Sequence, residues 1–255
     1  MTESAILDFD VAHAAASDWK VATDALITHL QVPDGANVGF LYATDHHAGH
    51  LADIADRLMH ATKIDTWTGT VGIGILSTAG ESFDEPAIAV MVGTVPEGSV
   101  RPFGPVREST VELDLLHREW IENEHPTLTL VHADPRHPPV AHLIESLAEN
   151  VPTFLTGGLT SSRHHYEQMA SQGRPLALEH GVSGVMFSTW LPIATGLTQG
   201  CSPIGPTRTV TEGDENILKE LDGRPALDAL IQDIGPEYAE DLSKLGGSIY
   251  VAFPV

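Results

Sequence analysis

Two stretches of this chain carry the same apolar spacing 89 residues apart, and that recurrence restricts the fold more than any single motif. In the first, residues 38–44 (VGFLYAT) form a short apolar run between PDGAN and DHHAGH, the pattern of a buried strand. Leu51, Ile54, Ala55, Leu58 and Met59 follow at the spacing of one helix face. Residues 66–76 (TWTGTVGIGIL) then predict a strand unusually rich in glycine, and residues 87–95 (AIAVMVGTV) predict another after Pro86. In the second stretch, residues 127–131 fall on the first strand and Asp134 falls on Asp45. Val140, Leu143, Ile144, Leu147 and Ala148 fall on the helix positions, Gly158 falls on Gly69, and residues 182–188 are the counterpart of 87–95. The letters hardly match, but the order and phase do. They predict a divergent duplicated β-α-β-β unit, with repeats over about residues 36–95 and 126–190.

Each such unit is a small sheet with a helix on one face, and two of them would pack together. The expected fold class is therefore α/β (α+β), with mixed β-sheets and flanking helices. Two adjacent strands per unit argue against a doubly wound Rossmann sheet, whose strands and helices alternate strictly. After residue 190 the pattern changes to a Gly/Pro/Thr-rich segment and then a helix from about Pro225, with Asp222-Gly223 ending the element before it. The chain closes on GGSIYVAFPV, an apolar run with no polar tail, which predicts that the sequence stops partway through something larger.

Charge narrows the partners. Thirteen Lys and Arg face 35 Asp and Glu, a formal net charge of -22. So acidic a surface repels phosphates and anionic lipid heads, so neither nucleic acid nor a membrane is expected as a partner. The N-terminal residues have early acids and no basic segment before an apolar run, and no apolar run approaches the about 18 residues that span a bilayer. These features predict a cytoplasmic protein.

Few motifs carry chemistry. Gly69, Gly72 and Gly74 read G-x-x-G-x-G, the reverse of the dinucleotide fingerprint, and no P-loop is present; such glycines allow close backbone approach. His46, His47, His50, His164 and His165 read as solvated loop residues rather than as a converging ligand set, so no metal and no cofactor is expected. Residues 154–163 (FLTGGLTSSR) are richer. An apolar strand delivers Thr156, Gly157, Gly158, three further hydroxyls and Arg163, a set suited to a carboxylate or another small anion. The other reading of the same stretch is a tight turn whose Arg163 pairs with an acid. Cys201, the single cysteine, lies between Gly200 and Gly205 with no histidine within twenty residues. A small buried hydrophobe, a ligand contact and a nucleophile all remain open for it.

The run TGLTQGCSPIGPTRTVTEGDENILKELDGRPAL, with FLTGGLTSSR and WTGTVGIGIL upstream, closely resembles the FIST family over roughly residues 36–230. The resemblance implies a sensory domain of signal transduction that binds small ligands, with amino acids or their relatives as the class, and it implies no known reaction. It divides the chain into a FIST N-terminal-like domain, 1–222, and the truncated beginning of a FIST C-terminal-like domain, 223–255. Residues 68–74, 156–163 and 200–206 are then expected around one concavity. Thr156, Gly157, Gly158, Arg163, Gly200, Cys201, Gly205 and Arg224 would contact the ligand and its carboxylate, and Asp222 its ammonium; the alternative for 222–225 is a turn that caps the following helix. Output would pass to a signalling protein partner. Two rival functions stand beside this one: a cysteine-dependent hydrolase or transferase using Cys201, and an acidic scaffold for protein–protein interaction.

Overall fold

The computed structural model describes residues 7–196, 202–215, 217–245, 249–250 and 252. These fall into two compact units, residues 1–193 and 194–255. The boundary expected at residue 222 lies inside the second unit.

The first unit opens with β1 (Asp8–Ala15) and α1 (Trp19–His29), whose first turn is capped by the Asp18 carboxylate accepting from the Lys20 N–H. The expected strand at 38–44 is β2 (Val38–Thr44), and the expected helix is α2 (Leu51–Thr62), whose buried positions are Leu51, Ile54, Ala55, Leu58 and Met59. The glycine-rich strand expected over 66–76 is instead two strands, β3 (Thr66–Gly72) and β4 (Gly74–Ser77). The ladder breaks at Ile73, whose N–H goes to Ser161 Oγ at 3.1 Å rather than to a neighbouring strand. From there β4 folds back on β5 (Gly80–Phe83) as a separate hairpin. Next come β6 (Ala87–Thr94), β7 (Val100–Val106), α3 (Val111–Glu124) and β8 (Leu128–Ala133). They are followed by α4 (Val140–Asn150), β9 (Phe154–Leu159), β10 (Gln168–Gln172), β11 (Ala177–Leu178) and β12 (Val182–Phe187).

Two mixed sheets result, ordered β1-β6-β2-β3-β10-β11 and β7-β12-β8-β9. In the first, β6 runs antiparallel to β1 and β2, and β2 runs parallel to β3. In the second, β12 runs antiparallel to β7 and β8, and β8 runs parallel to β9. The shared order β1-β6-β2-β3 and β7-β12-β8-β9 includes a leading strand and helix that the apolar spacing did not reveal. In the parallel ladders Gly69 lies opposite Leu41 and Gly157 lies opposite Val131, the fourth residues of β2 and β8, whereas Gly158 lies opposite His132.

Strand alternation sorts the side chains into layers. On one face Leu41, Trp67 and Val90 pack against Leu26, Leu51, Ile54 and Leu58 of α1 and α2. On one face of the second sheet Val131, Val182 and Met186 pack against Leu113, Trp120, Leu143 and Leu147 of α3 and α4. The opposite faces meet: Val38 and Phe40 of β2 share a core with Val185 and Phe187 of β12, joined by Tyr42, Met91, Leu128 and Leu130. The layers are helices, sheet, sheet, helices.

Strand β10, which follows β9 in the chain, pairs with β3 and so extends the other sheet. Its buried Gln168 donates from Nε2 to the Gly181 carbonyl at 3.0 Å and accepts from the Ser183 N–H at 3.0 Å and hydroxyl at 2.6 Å. One side chain therefore ties a strand of the first sheet to the start of β12 in the second.

The second unit holds a small sheet of β13 (Val210–Asp214), β14 (Ile217–Leu221) and β15 (Arg224–Pro225), then α5 (Ala226–Ile234) and α6 (Pro236–Ala239). Asp222 and Gly223 both have positive φ, 51° and 72°, and form the two-residue turn from β14 to β15. The helix expected from Pro225 is α5. No helix among the described residues is long and apolar enough to cross a membrane.

Candidate functional site

A cleft of about 490 Å³ lies between the two sheets of the first unit, well inside the size range of small-molecule sites. Phe9 of β1, Phe40 and Tyr42 of β2, and Ala89 and Met91 of β6 form one wall. Leu128 and Leu130 of β8, Thr156 of β9 and Phe187 of β12 form the other. Leu76, Ser77 and Thr78 of the hairpin stand at its rim, with Leu76 exposed to 79%. His13 of β1 holds that rim, its Nδ1 3.2 Å from Ser77 Oγ and its Nε2 3.0 Å from Ser82 Oγ. No lining residue is charged, so the site offers apolar surface and hydroxyls. A second hollow of about 490 Å³ lies over the outer face of α2, where Asp53, Asp56, Arg57 and His60 are largely solvated, and it lacks enclosing walls of this kind.

Two polar links cross between the sheets beside the cleft. Residues 38, 40 and 42 of β2 and residues 128, 130 and 132 of β8 share the inward face, so the fifth residue of each strand reaches the other. These are Tyr42 and His132: Tyr42 Oη lies 3.1 Å from His132 Nε2, with the rings edge to face at 5.5 Å. Burial pushes the Tyr42 phenol up to about 12 and the His132 imidazole down to about 4, so both are neutral near pH 7. His132 Nδ1 is buried without a hydrogen-bond partner among the described residues. The second link joins Thr70 and Thr160 hydroxyls at 2.7 Å.

Of the residues singled out from the sequence, Thr156 lines this cleft. Gly157 and Gly158 share its strand: a Cβ on Gly157 would lie 1.9 Å from the Val131 carbonyl oxygen, whereas one on Gly158 would meet nothing within 4 Å. Arg163 sits between two acids. Its N–H donates to Asp45 Oδ2 at 2.8 Å, and its guanidinium reaches Asp45 Oδ1 at 3.5 Å and Asp84 Oδ1 at 2.5 Å. An incoming anion would have to displace those carboxylates. Gly205, Asp222 and Arg224 belong to the second unit. A Cβ on Gly205 would fall 2.7 Å from Asp233 Oδ2, Asp222 accepts from the Thr209 N–H at 2.8 Å and from Arg208, and Arg224 donates to Gln232 Oε1 at 3.0 Å. Gly200 and Cys201 lie outside the described residues.

Asp45 and Asp134, matched by the sequence spacing, are both buried just past β2 and β8. Burial would raise the Asp134 carboxyl, but the Arg136 guanidinium and N–H and the His180 N–H outweigh it and hold the group below the usual carboxylate range. Arg136 also stacks over Tyr166 and pairs with Glu179. These buried acids organise the loops at the strand ends. Among the loop histidines expected to be solvated, His47 departs: it is 1% exposed, and burial lowers its pKa.

Tyr42 and His132 were missed because they sit inside apolar strands, where a lone polar ring reads as core. The repeat spacing could not have paired them, because a shift of 89 residues places Tyr42 on Val131, and only the observed strands, which start at Val38 and Leu128, bring Tyr42 level with His132.

A family model described as FIST N domain matches residues 37–224. An uncharacterized protein of Mycobacterium tuberculosis is 27% identical over 209 residues, which cover 80% of this chain and 54% of that protein. An uncharacterized protein of Mycobacterium bovis is 26% identical over 208 residues, covering 80% of this chain and 53% of its own length. The chain thus spans about half the length of these curated relatives.

Proposed function

The chain belongs to the FIST family, a domain associated with signal transduction, and from that premise we propose that it is a non-enzymatic sensor whose small ligand binds in the cleft between the two sheets. The observation that carries this reading is the cleft itself, walled by both sheets and free of charged lining side chains. Occupation would press on β2, β6, β8 and β12 together, so the ligand state would be felt through both sheets and passed to a signalling partner.

The free amino acid implied by the resemblance fits this cleft poorly. Its two charges would be desolvated there without counter-ions, which costs several kcal/mol. Arg163 and Asp222 are engaged by Asp45, Asp84 and Arg208. The screen that tests the function therefore has two arms: amino acids with small carboxylates and amines, and neutral aromatic ketones and amides. A ligand at about 100 times its dissociation constant adds about 2.7 kcal/mol, a rise of several degrees in Tm. We expect hits in the neutral arm, and we expect Thr156→Trp, which fills the cleft from an edge strand, to abolish them. A hit confined to amino acids and lost on Arg163→Ala would move the site to the Asp45–Arg163 loop. Silence in both arms would remove the sensor reading.

The thiol-enzyme reading makes a separate demand. Cys201→Ser should leave every ligand-induced shift within about 1 °C of the unaltered protein; a thiol that forms part of the pocket or reacts with the ligand would not survive that change unnoticed.

A further inference from the structure

Two tautomers of His132 satisfy its contact with Tyr42. If Nε2 accepts from the phenol, the proton on Nδ1 has no acceptor, because that buried atom has no partner among the described residues. A buried N–H without an acceptor is rarer and more costly than a bare lone pair. The favoured tautomer therefore carries its proton on Nε2 and donates to Tyr42 Oη at 3.1 Å. Tyr42 then keeps its own O–H, for which the described residues supply no acceptor, on a side chain that lines the cleft.

On the cleft-sensor reading above, we infer that Tyr42 is a ligand-recognising donor, positioned by His132, and that the ligand is a neutral, largely apolar molecule bearing a carbonyl-type acceptor. The walls select the body: Phe40, Met91, Leu130 and Phe187 supply apolar surface without a charge. The Tyr42 O–H, held in place by His132 and without an acceptor among the described residues, selects the acceptor. Anions and ammonium groups are excluded by the same absence of lining charge. His132 acts through Tyr42, since its oxygen-facing N–H fixes which way the phenol proton points.

The test uses the whole chain and the neutral fluorophore Nile red, displaced by 2-acetylnaphthalene or by 2-ethylnaphthalene. The two competitors have similar shapes, and only the first carries a carbonyl. Tyr42→Phe is expected to weaken the ketone about 3- to 10-fold, the worth of one neutral hydrogen bond, and to leave the hydrocarbon within about twofold. Desolvation of the ketone is common to both proteins and cancels in that comparison. His132→Leu should weaken the ketone selectively, and His132→Gln, which can still offer an N–H to the phenol oxygen, should restore it; this pair carries the test if Tyr42→Phe does not fold. Equal effects on ketone and hydrocarbon would overturn the donor assignment and leave the cleft reading standing. Nile red that fails to bind, or that binds Thr156→Trp unchanged, would overturn both.

Discussion

Gly69→Ala and Gly157→Ala are each expected to destabilise the first unit by more than about 4 kcal/mol, whereas Gly158→Ala changes its stability by less than about 1 kcal/mol. The reason is local geometry. A Cβ on Gly69 would lie 1.7 Å from the Leu41 carbonyl oxygen, and one on Gly157 would lie 1.9 Å from that of Val131, with φ at +134° adding strain for any L side chain. Each close approach sits at the parallel junction of its sheet, β2 with β3 and β8 with β9, so relief would require the two strands to part. Gly158 faces open space. Urea unfolding of the three variants separates these cases. A Gly157→Ala midpoint equal to that of Gly158→Ala would show that the second sheet does not close in this way.

The second large effect depends on pH. Burial holds the folded-state pKa of His132 near 4, against about 6.5 in the unfolded chain. Below pH 6.5 the unfolded chain takes up a proton that the folded protein refuses, so acid favours unfolding. The contribution of neutral His132 is thus complete above about pH 6.5 and is lost as the pH falls towards 4. At about 1.4 kcal/mol per pH unit, this is about 2 kcal/mol between pH 7 and pH 5. Replacing His132 with Leu, which cannot be protonated, should flatten the fall by that amount. His47 and His117 are also held low by burial, but both remain in each protein and drop out of the difference. Parallel stability curves for the two proteins over pH 5–7 would mean that water reaches the Tyr42–His132 pair.

Much of the framework could be read in the sequence, and the site could not, for related physical reasons. The i, i+3, i+4 pattern of Leu51, Ile54, Leu58 and Met59 marks α2 because a helix on a sheet buries one stripe, and the structure buries those residues. The repeat spacing located β2, β6, β8 and β12 but missed β1, α1, β7 and α3, whose faces are half exposed and carry weak periodicity. The stretch at 66–76 misled because glycine in a strand signals either close packing or a break, and here it does both, at Gly69 and after Gly72. Thr156 was singled out in the sequence because it precedes a glycine pair at a strand end, and it lies on the cleft wall. Tyr42 and His132 were not, since their significance lies in a contact between positions 90 residues apart in the chain. Likewise, Arg163 stands out as a cation in an acidic chain, but only the fold shows Asp45 and Asp84 closing on it.

Strand β10 has a consequence for any attempt to divide the first unit. It lies late in the chain, after β9, yet it covers the edge of β3, and its Gln168 holds the opening of β12. A fragment ending after β6 would leave the N–H and C=O groups of β3 open to any passing strand, which favours self-association over solubility. A fragment starting at β7 would carry β10 with no strand to receive it. The two halves are therefore expected to recover the fold only when mixed, by one fragment lending its strand to the other, and to unfold in the intact chain as a single cooperative transition.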